Sequence, residues 1–481
     1  MNLEKIAVGA LSALARHEGK KIYKKQGYAE KPASAKPIRM QNPADDGFRC
    51  GFASRITMPK NIHAHPYYLA GHRTGKTVAG ILDPLTVSAL WLDCKDGGGM
   101  VVIGADVVGI ANMEIAQIRD ALQDFCRETG CKSISILCSH NHAGIDTLGY
   151  WGKAIIGPIP GNGKDPEYMA LLTENMRACC YEAFKTRKEG KLYTGSIRVP
   201  DAVFRKRKPI VARDVLSRIR FVPDDGSEET WWLNFGAHPN TMGGDNQMIS
   251  AEYPGYLRKA IQNVKKTNVL FGVGPILAVD PGEWSEDVYE CARLEGEALA
   301  KAAFSIENDT PLSPEIVVVR QPFLAPVENP VLALMAIIKT VNYKKAASRD
   351  SSLGLALCTE MTYIRIGTQQ ILMLPGEAAP EFAFGGYSSA ETSATGLGPE
   401  VNAKPLSAVA DDDNLIVFGL ANDMTGYMVP PNDFILNENG PYLDTANDRF
   451  GERHYHETNS LSPKMTQIVS DTFAGILEHI D

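Results

Sequence analysis

The chain has 481 residues, with 49 Lys and Arg against 57 Asp and Glu, giving a net charge of −8. Apolar residues make up 44 % and charged residues 22 %, which are globular values and exclude disorder by composition. The acidic balance argues against nucleic acid as a partner, and no apolar run is long enough for a transmembrane segment.

Leu3, Ile6, Ala7, Ala10, Leu11 and Leu14 share one helical face. They predict an amphipathic helix that docks on the body or on a partner, in preference to a signal peptide. Nine scattered cysteines without a CxxC predict buried free thiols, and with the helix they predict a cytoplasmic protein. Residues 19–48 are rich in Lys, Pro, Ala and Asp and read as an extended connector. The expected organisation is therefore an N-terminal helix and connector over 1–47 and a single domain over 48–481.

Strands and helices alternate from Phe48 onward without a repeat. Thr86 to Leu92 and Met100 to Ile103 read as buried strands. Ile115, Ile118, Leu122 and Phe125 mark a helix that Gly130 stops. Ser133 to Leu137 is a further strand, and helices follow over 167–186, 255–266 and 286–305. Met361 to Ile366 and Gln370 to Leu374 form a hairpin around Gly367-Thr368, and Leu415 to Leu420 is a late strand. This alternation predicts an α/β fold in layers. Residues 384–413, rich in Gly, Ser, Ala and Asp, read as a lid or as a surface insertion.

Two phosphate-loop lookalikes fail. Gly71-His72-Arg73-Thr74-Gly75-Lys76-Thr77 has three residues between its glycines where four are needed, and Gly161-Asn162-Gly163-Lys164 is followed by Asp165. There is no GxSxG and no HExxH. Three HxH pairs stand out: His63/His65, His140/His142 and His454/His456. The middle pair directly follows the Ser133 to Leu137 strand, and a spacing of two puts both imidazoles on one face if the strand continues. His238 follows the apolar run Trp231 to Phe235, and Glu377 follows Leu372-Met373-Leu374. Each alone reads as an ordinary loop residue. Together, three such groups just past three apolar strands match the three protein ligands of a catalytic zinc.

These residues carry a more specific pattern. Gly51 to Thr57, Val101 to Asp106, Ser139-His140-Asn141-His142-Ala143-Gly144, Ala237-His238-Pro239, Leu374-Pro375-Gly376-Glu377 and Leu420-Ala421-Asn422-Asp423 with Gly426-Tyr427 occur in order and at spacings that resemble the neutral/alkaline (non-lysosomal) ceramidase family. The resemblance runs from about Gly51 to the C-terminus, without the immunoglobulin-like domain of many members. It implies layered mixed β-sheets flanked by helices, and a zinc-hydrolase catalytic domain over 48–481. It further implies Zn2+ held by His140, His238, Glu377 and Tyr427, with His142 beside the metal and in contact with the reacting group. Arg207, in Arg205-Lys206-Arg207-Lys208-Pro209, and Tyr455 resemble substrate-side residues of the family. Asp280, in Leu277-Ala278-Val279-Asp280-Pro281-Gly282, falls where the family carries its active-site serine. That departure excludes a seryl mechanism and puts a ceramide preference in doubt. Asp280 would instead accept a hydrogen bond from substrate or hold a pocket cation. Asp106 or Asp146 would orient a ligand imidazole or serve as a loop cap, the role that suits Asp146 better.

The implied activity is zinc-dependent hydrolysis of a linear amide, with a small-molecule N-acyl compound as substrate. An esterase or lactonase with the same zinc site, and a catalytically dead lipid-binding relative, are the alternatives. An amidohydrolase-type barrel built on His63/His65 is a more distant rival. Homo-oligomerisation is left open.

Overall fold

Alternation along the strands sets the layers. On Thr86–Asp93, Val87, Ala89 and Trp91 join one apolar cluster, while Leu90 and Leu92 join another. On Leu355–Ile366, Met361 and Tyr363 point one way, and Ile364 and Ile366 point the other. Strands buried on both faces need cover on both sides. The computed structural model, which describes residues 3–44, 47–156, 159–205 and 207–480, supplies it as helices, sheet, sheet, helices.

The larger sheet has nine strands. Its main path runs Thr267–Val273, Glu229–Phe235, Val215–Pro223, Lys188–Arg198, Phe48–Ile56, Thr86–Asp93, Gly99–Ala105, Cys131–Cys138, and Thr310–Pro311 adds to Lys188–Arg198. The pair at each end of this path is parallel and the others are antiparallel. The smaller sheet runs Ile38–Gln41, Glu315–Pro326, Leu355–Ile366, Gln369–Met373, Ile416–Phe418, with Lys345–Ala347 paired to Leu355–Ile366. This is the α/β fold of layered mixed sheets flanked by helices that the sequence predicts.

The segment after Ile416 ties both sheets together at the strand ends. Leu374 N donates to Phe418 O, Gly419 N to Val273 O, and Cys138 N to Leu420 O, all at 2.8–3.1 Å. Asn234 Nδ2 donates to Val417 O at 3.1 Å. Strand ends far apart in sequence, at 138, 235, 273 and 374, are thereby held around one point.

Most elements fall where the sequence places them. The helix before Gly130 is two, Asn112–Ala121 and Gln123–Thr129, and Gly130 closes the second in the left-handed region at φ 72°. The N-terminal helix spans Leu3–Gln26, but the face that docks is not the apolar one. Ala15 and Gly19 are its buried residues, whereas Leu3 is 82 % exposed and Ile6 and Leu14 are exposed too. Close approach decides this: a Cβ on Gly19 would lie 2.6 Å from the Gly354 carbonyl oxygen. The expected connector is helical to Gln26, and its Ile38–Gln41 stretch forms the edge strand of the smaller sheet. Residues 384–413 are partly buried through Ser388, Ser393, Ala394 and Leu406, and carry a short helix, Leu406–Ala410. All nine cysteines are unpaired and six are buried. Among the described residues no helix is long and apolar enough to cross a membrane.

Candidate metal centre

Three strand ends deliver the central residues. His140 leaves Cys131–Cys138 in the left-handed region at φ 58°. His238 follows Glu229–Phe235, and Glu377 opens Glu377–Ala378 after Gln369–Met373. Leu420, Asn422 and Ala278, in the segments bonded around these ends, also have positive φ. Each such position costs about 1–3 kcal/mol, and such positions cluster at functional sites.

Backbone carbonyls fix the two imidazoles. His140 Nδ1 lies 2.8 Å from Val108 O, and His238 Nδ1 lies 2.9 Å from Val279 O. A carbonyl only accepts, so each Nδ1 carries a proton, and in the neutral ring Nε2 presents a lone pair. Both Nε2 atoms face one carboxylate: Glu377 Oε1 is 3.2 Å from His140 and Oε2 is 3.1 Å from His238. Glu377 is buried, and its Oε1 receives no well-oriented hydrogen bond. Two lone pairs and a buried carboxylate repel unless positive charge lies among them. A proton on an imidazole meets that requirement, and so does a divalent cation.

His142 Nε2 lies 3.0 Å from His140 Nε2, and its Nδ1 is buried with no partner among the described residues. His140, His142 and His238 each offer a ring nitrogen within 4.8 Å of the others, so this group can hold a metal ion. Tyr427 stands in register beside Glu377 on the parallel strand Tyr427–Met428.

The buried imidazoles and the carboxylate shift one another. Burial pushes the Glu377 carboxyl up, but the charges and hydrogen bonds of His140 and His238 outweigh it and hold it at about 2. Burial pulls His238 down, but its hydrogen bond to Glu377, the Glu377 charge and the Asp280 charge lift it above 6.5. Burial, then the charges of His140, His238 and His72, holds His142 well below 6.5. Burial and the Glu377 charge push the Tyr427 phenol well above 10, so a nearby cation would be needed to ionise it.

Two cavities meet at His72, His142 and Tyr427. One, of about 160 Å³, is walled by Leu148, Trp151, Leu332, Met335 and Val341. The other, of about 570 Å³, is polar and lined by Arg207, His238, Asp280, Tyr455 and His456. Asp280 accepts from Asn240 Nδ2 at 3.1 Å and pairs through its backbone with Phe204. The Tyr455 ring stacks on His456 at 4.1 Å and is 47 % exposed. Arg207 binds His454, His456 and Glu457. Within the basic run, Lys208 is exposed, whereas Arg205 is buried against Glu381 at 2.5 and 3.0 Å. Lys206 lies outside the described residues.

Other expectations are corrected. Asp106 does not orient His140 or His238, whose Nδ1 atoms face the Val108 and Val279 carbonyls, and Asp146 is a loop cap as its alternative reading has it. Asp106 instead holds Thr86 and Arg258. Asp146 caps the backbone of Leu148, Gly149 and Trp151. His65 pairs with Asp165 at 2.7 Å, at the start of Pro166–Lys185 and outside the histidine group. Sequence reasoning missed Gly71 and His72 as part of the site. His72 meets the His142 ring edge-on at 5.0 Å, and its only sequence signal lay inside a failed phosphate loop. His456 was visible in an HxH pair but had no assigned role.

The fold is that of neutral ceramidases, and it carries a histidine group that could hold a metal ion. Solved structures that share the fold include two ceramidases. The neutral ceramidase of Pseudomonas aeruginosa superposes with a TM-score of 0.67 and 14 % identity, over 90 % of this chain and 75 % of that one. A ceramidase complexed with C2 gives 0.67 and 14 %, over 90 % of this chain and 76 % of that one. No family model and no curated protein sequence matches the chain. The resemblance read from the sequence therefore stands at the level of the fold.

Proposed function

We propose that the protein is a zinc-dependent hydrolase of N-acyl compounds that cuts a linear amide at its acyl carbonyl. One observation carries this reading: a buried carboxylate, Glu377, faces the Nε2 atoms of His140 and His238 where an apolar cavity meets a polar one. The fold likeness to ceramidases supports the amide as the bond cut.

Nitrogen and oxygen donors suit zinc, and His140, His238, Glu377 and Tyr427 would hold it. Bound there, the ion supplies a water of lowered pKa and polarises an acyl carbonyl. The Val108 and Val279 carbonyls keep two imidazoles in the ligating tautomer. His142, neutral and beside His140, donates an N–H to the carbonyl oxygen as it gains charge. The apolar cavity takes the acyl chain and keeps water out. Asp280, Arg207 and Tyr455 border the space for the leaving group. A carboxylate there favours an amine bearing a donor or a charge over a bare hydrocarbon chain.

The test is a panel of N-acyl amines with short to long acyl chains, plus matching esters and lactones, given to zinc-loaded wild type and to His238→Ala. Amide turnover that His238→Ala abolishes supports the reading. No turnover of any member would overturn it and leave a binding protein.

A further inference from the structure

Arg207 fixes the proton of a histidine that lines the polar cavity. Its guanidinium contacts His456 Nδ1, and its other amino nitrogen reaches His454 Nδ1 at 2.5 Å, Asp433 O at 2.9 Å and Glu457 Oε1 at 3.1 Å. A guanidinium only donates and does not lose its proton in proteins. His456 Nδ1 is therefore an acceptor, and the single proton of the ring sits on Nε2. That Nε2 is buried and has no hydrogen-bond partner among the described residues. An unpaired buried donor costs about 1–3 kcal/mol, and native structures rarely keep one without use. The His456 ring lies 5.7 Å from that of Tyr427 and is covered by the half-exposed Tyr455. His142, His238 and Asp280 line the same cavity.

We propose that His456 donates its Nε2–H to an oxygen on the leaving-group half of the substrate, and that Arg207 is the positioning residue that enforces this tautomer. The inference rests on the hydrolase reading for the identity of that substrate. It narrows the substrate class to N-acyl amines whose amine carries a hydroxyl or carbonyl oxygen.

The experiment compares an N-acyl ethanolamine with the N-acyl propylamine of the same acyl chain. Both are measured by turnover and by calorimetric binding to zinc-loaded protein. Wild type is expected to favour the hydroxyl-bearing compound by about tenfold, the size of one good hydrogen bond. His456→Phe should remove the preference without changing zinc content. His456→Gln, which returns an N–H at similar reach, should restore most of it. Arg207→Gln should lower the preference, and adding it to His456→Phe should lower it no further. An unchanged preference in folded, zinc-loaded His456→Phe overturns the proposal. Should that variant melt early, His456→Gln and Arg207→Gln decide: loss only in the second supports the proposal, and equal preference in both overturns it. If nothing is turned over, the hydrolase reading falls, while the binding preference still decides the role of His456.

Discussion

Gly71 lies directly against His142: a Cβ added to Gly71 would come within 2.5 Å of the His142 Cβ and Cγ. Gly71 also has φ 105°, a conformation that L residues rarely adopt. The backbone of one loop thus fixes how close the His142 ring stands to His140. Gly71→Ala is expected to push the ring aside and to lower kcat/KM at least about tenfold, the scale of a small misplacement of a reacting group. Steady-state kinetics checks this, with zinc content measured alongside.

The N-terminal helix docks through its small residues. Gly19→Val would drive a side chain into the Gly354 carbonyl and the Leu353 carbonyl oxygen, 2.6 and 3.2 Å from an added Cβ. The expected cost is about 1–3 kcal/mol, the range for overpacking. Early proteolysis of residues 3–26 and unchanged turnover by the remaining body are the expected readouts.

Glu295 gives stability a pH dependence. It accepts from Trp284 Nε1 and from Gly282 N at 3.1 Å, its Oε1 is buried without a partner, and burial pushes the carboxyl up to about 8. Its folded pKa lies above the 4.5 of the unfolded chain, so the folded state holds a proton that the unfolded state releases. That contribution is complete below 4.5 and is lost as pH rises through about 8. Glu295→Gln, which stays neutral, should be more stable than wild type at alkaline pH by on the order of 2 kcal/mol, with the difference shrinking toward pH 5. Denaturant unfolding at the two pH values checks it.

The histidines and Glu377 were legible because each sits one turn past an apolar strand, and such strands are strong local signals. Their convergence was expected from ligand chemistry and the family resemblance, but the contacts that produce it were not legible, since they depend on Gly419 and Leu420 bonding to strand ends at 273 and 138. Tyr427 has no local mark and came only through the family resemblance. Arg207 came only through the resemblance, because its partners His454, His456 and Glu457 lie some 250 residues away in sequence. The N-terminal helix misled for another reason. Hydrophobic periodicity marks the face with most to gain from burial, but the Gly354 backbone selects the face that can approach it.

Elemental analysis of the purified protein after zinc loading and dialysis tests the central claim most directly, on wild type beside His140→Ala and His238→Ala. The account expects about one zinc per chain in wild type and a loss of zinc in both variants. Zinc retained by both variants, or none taken up by wild type, would contradict it.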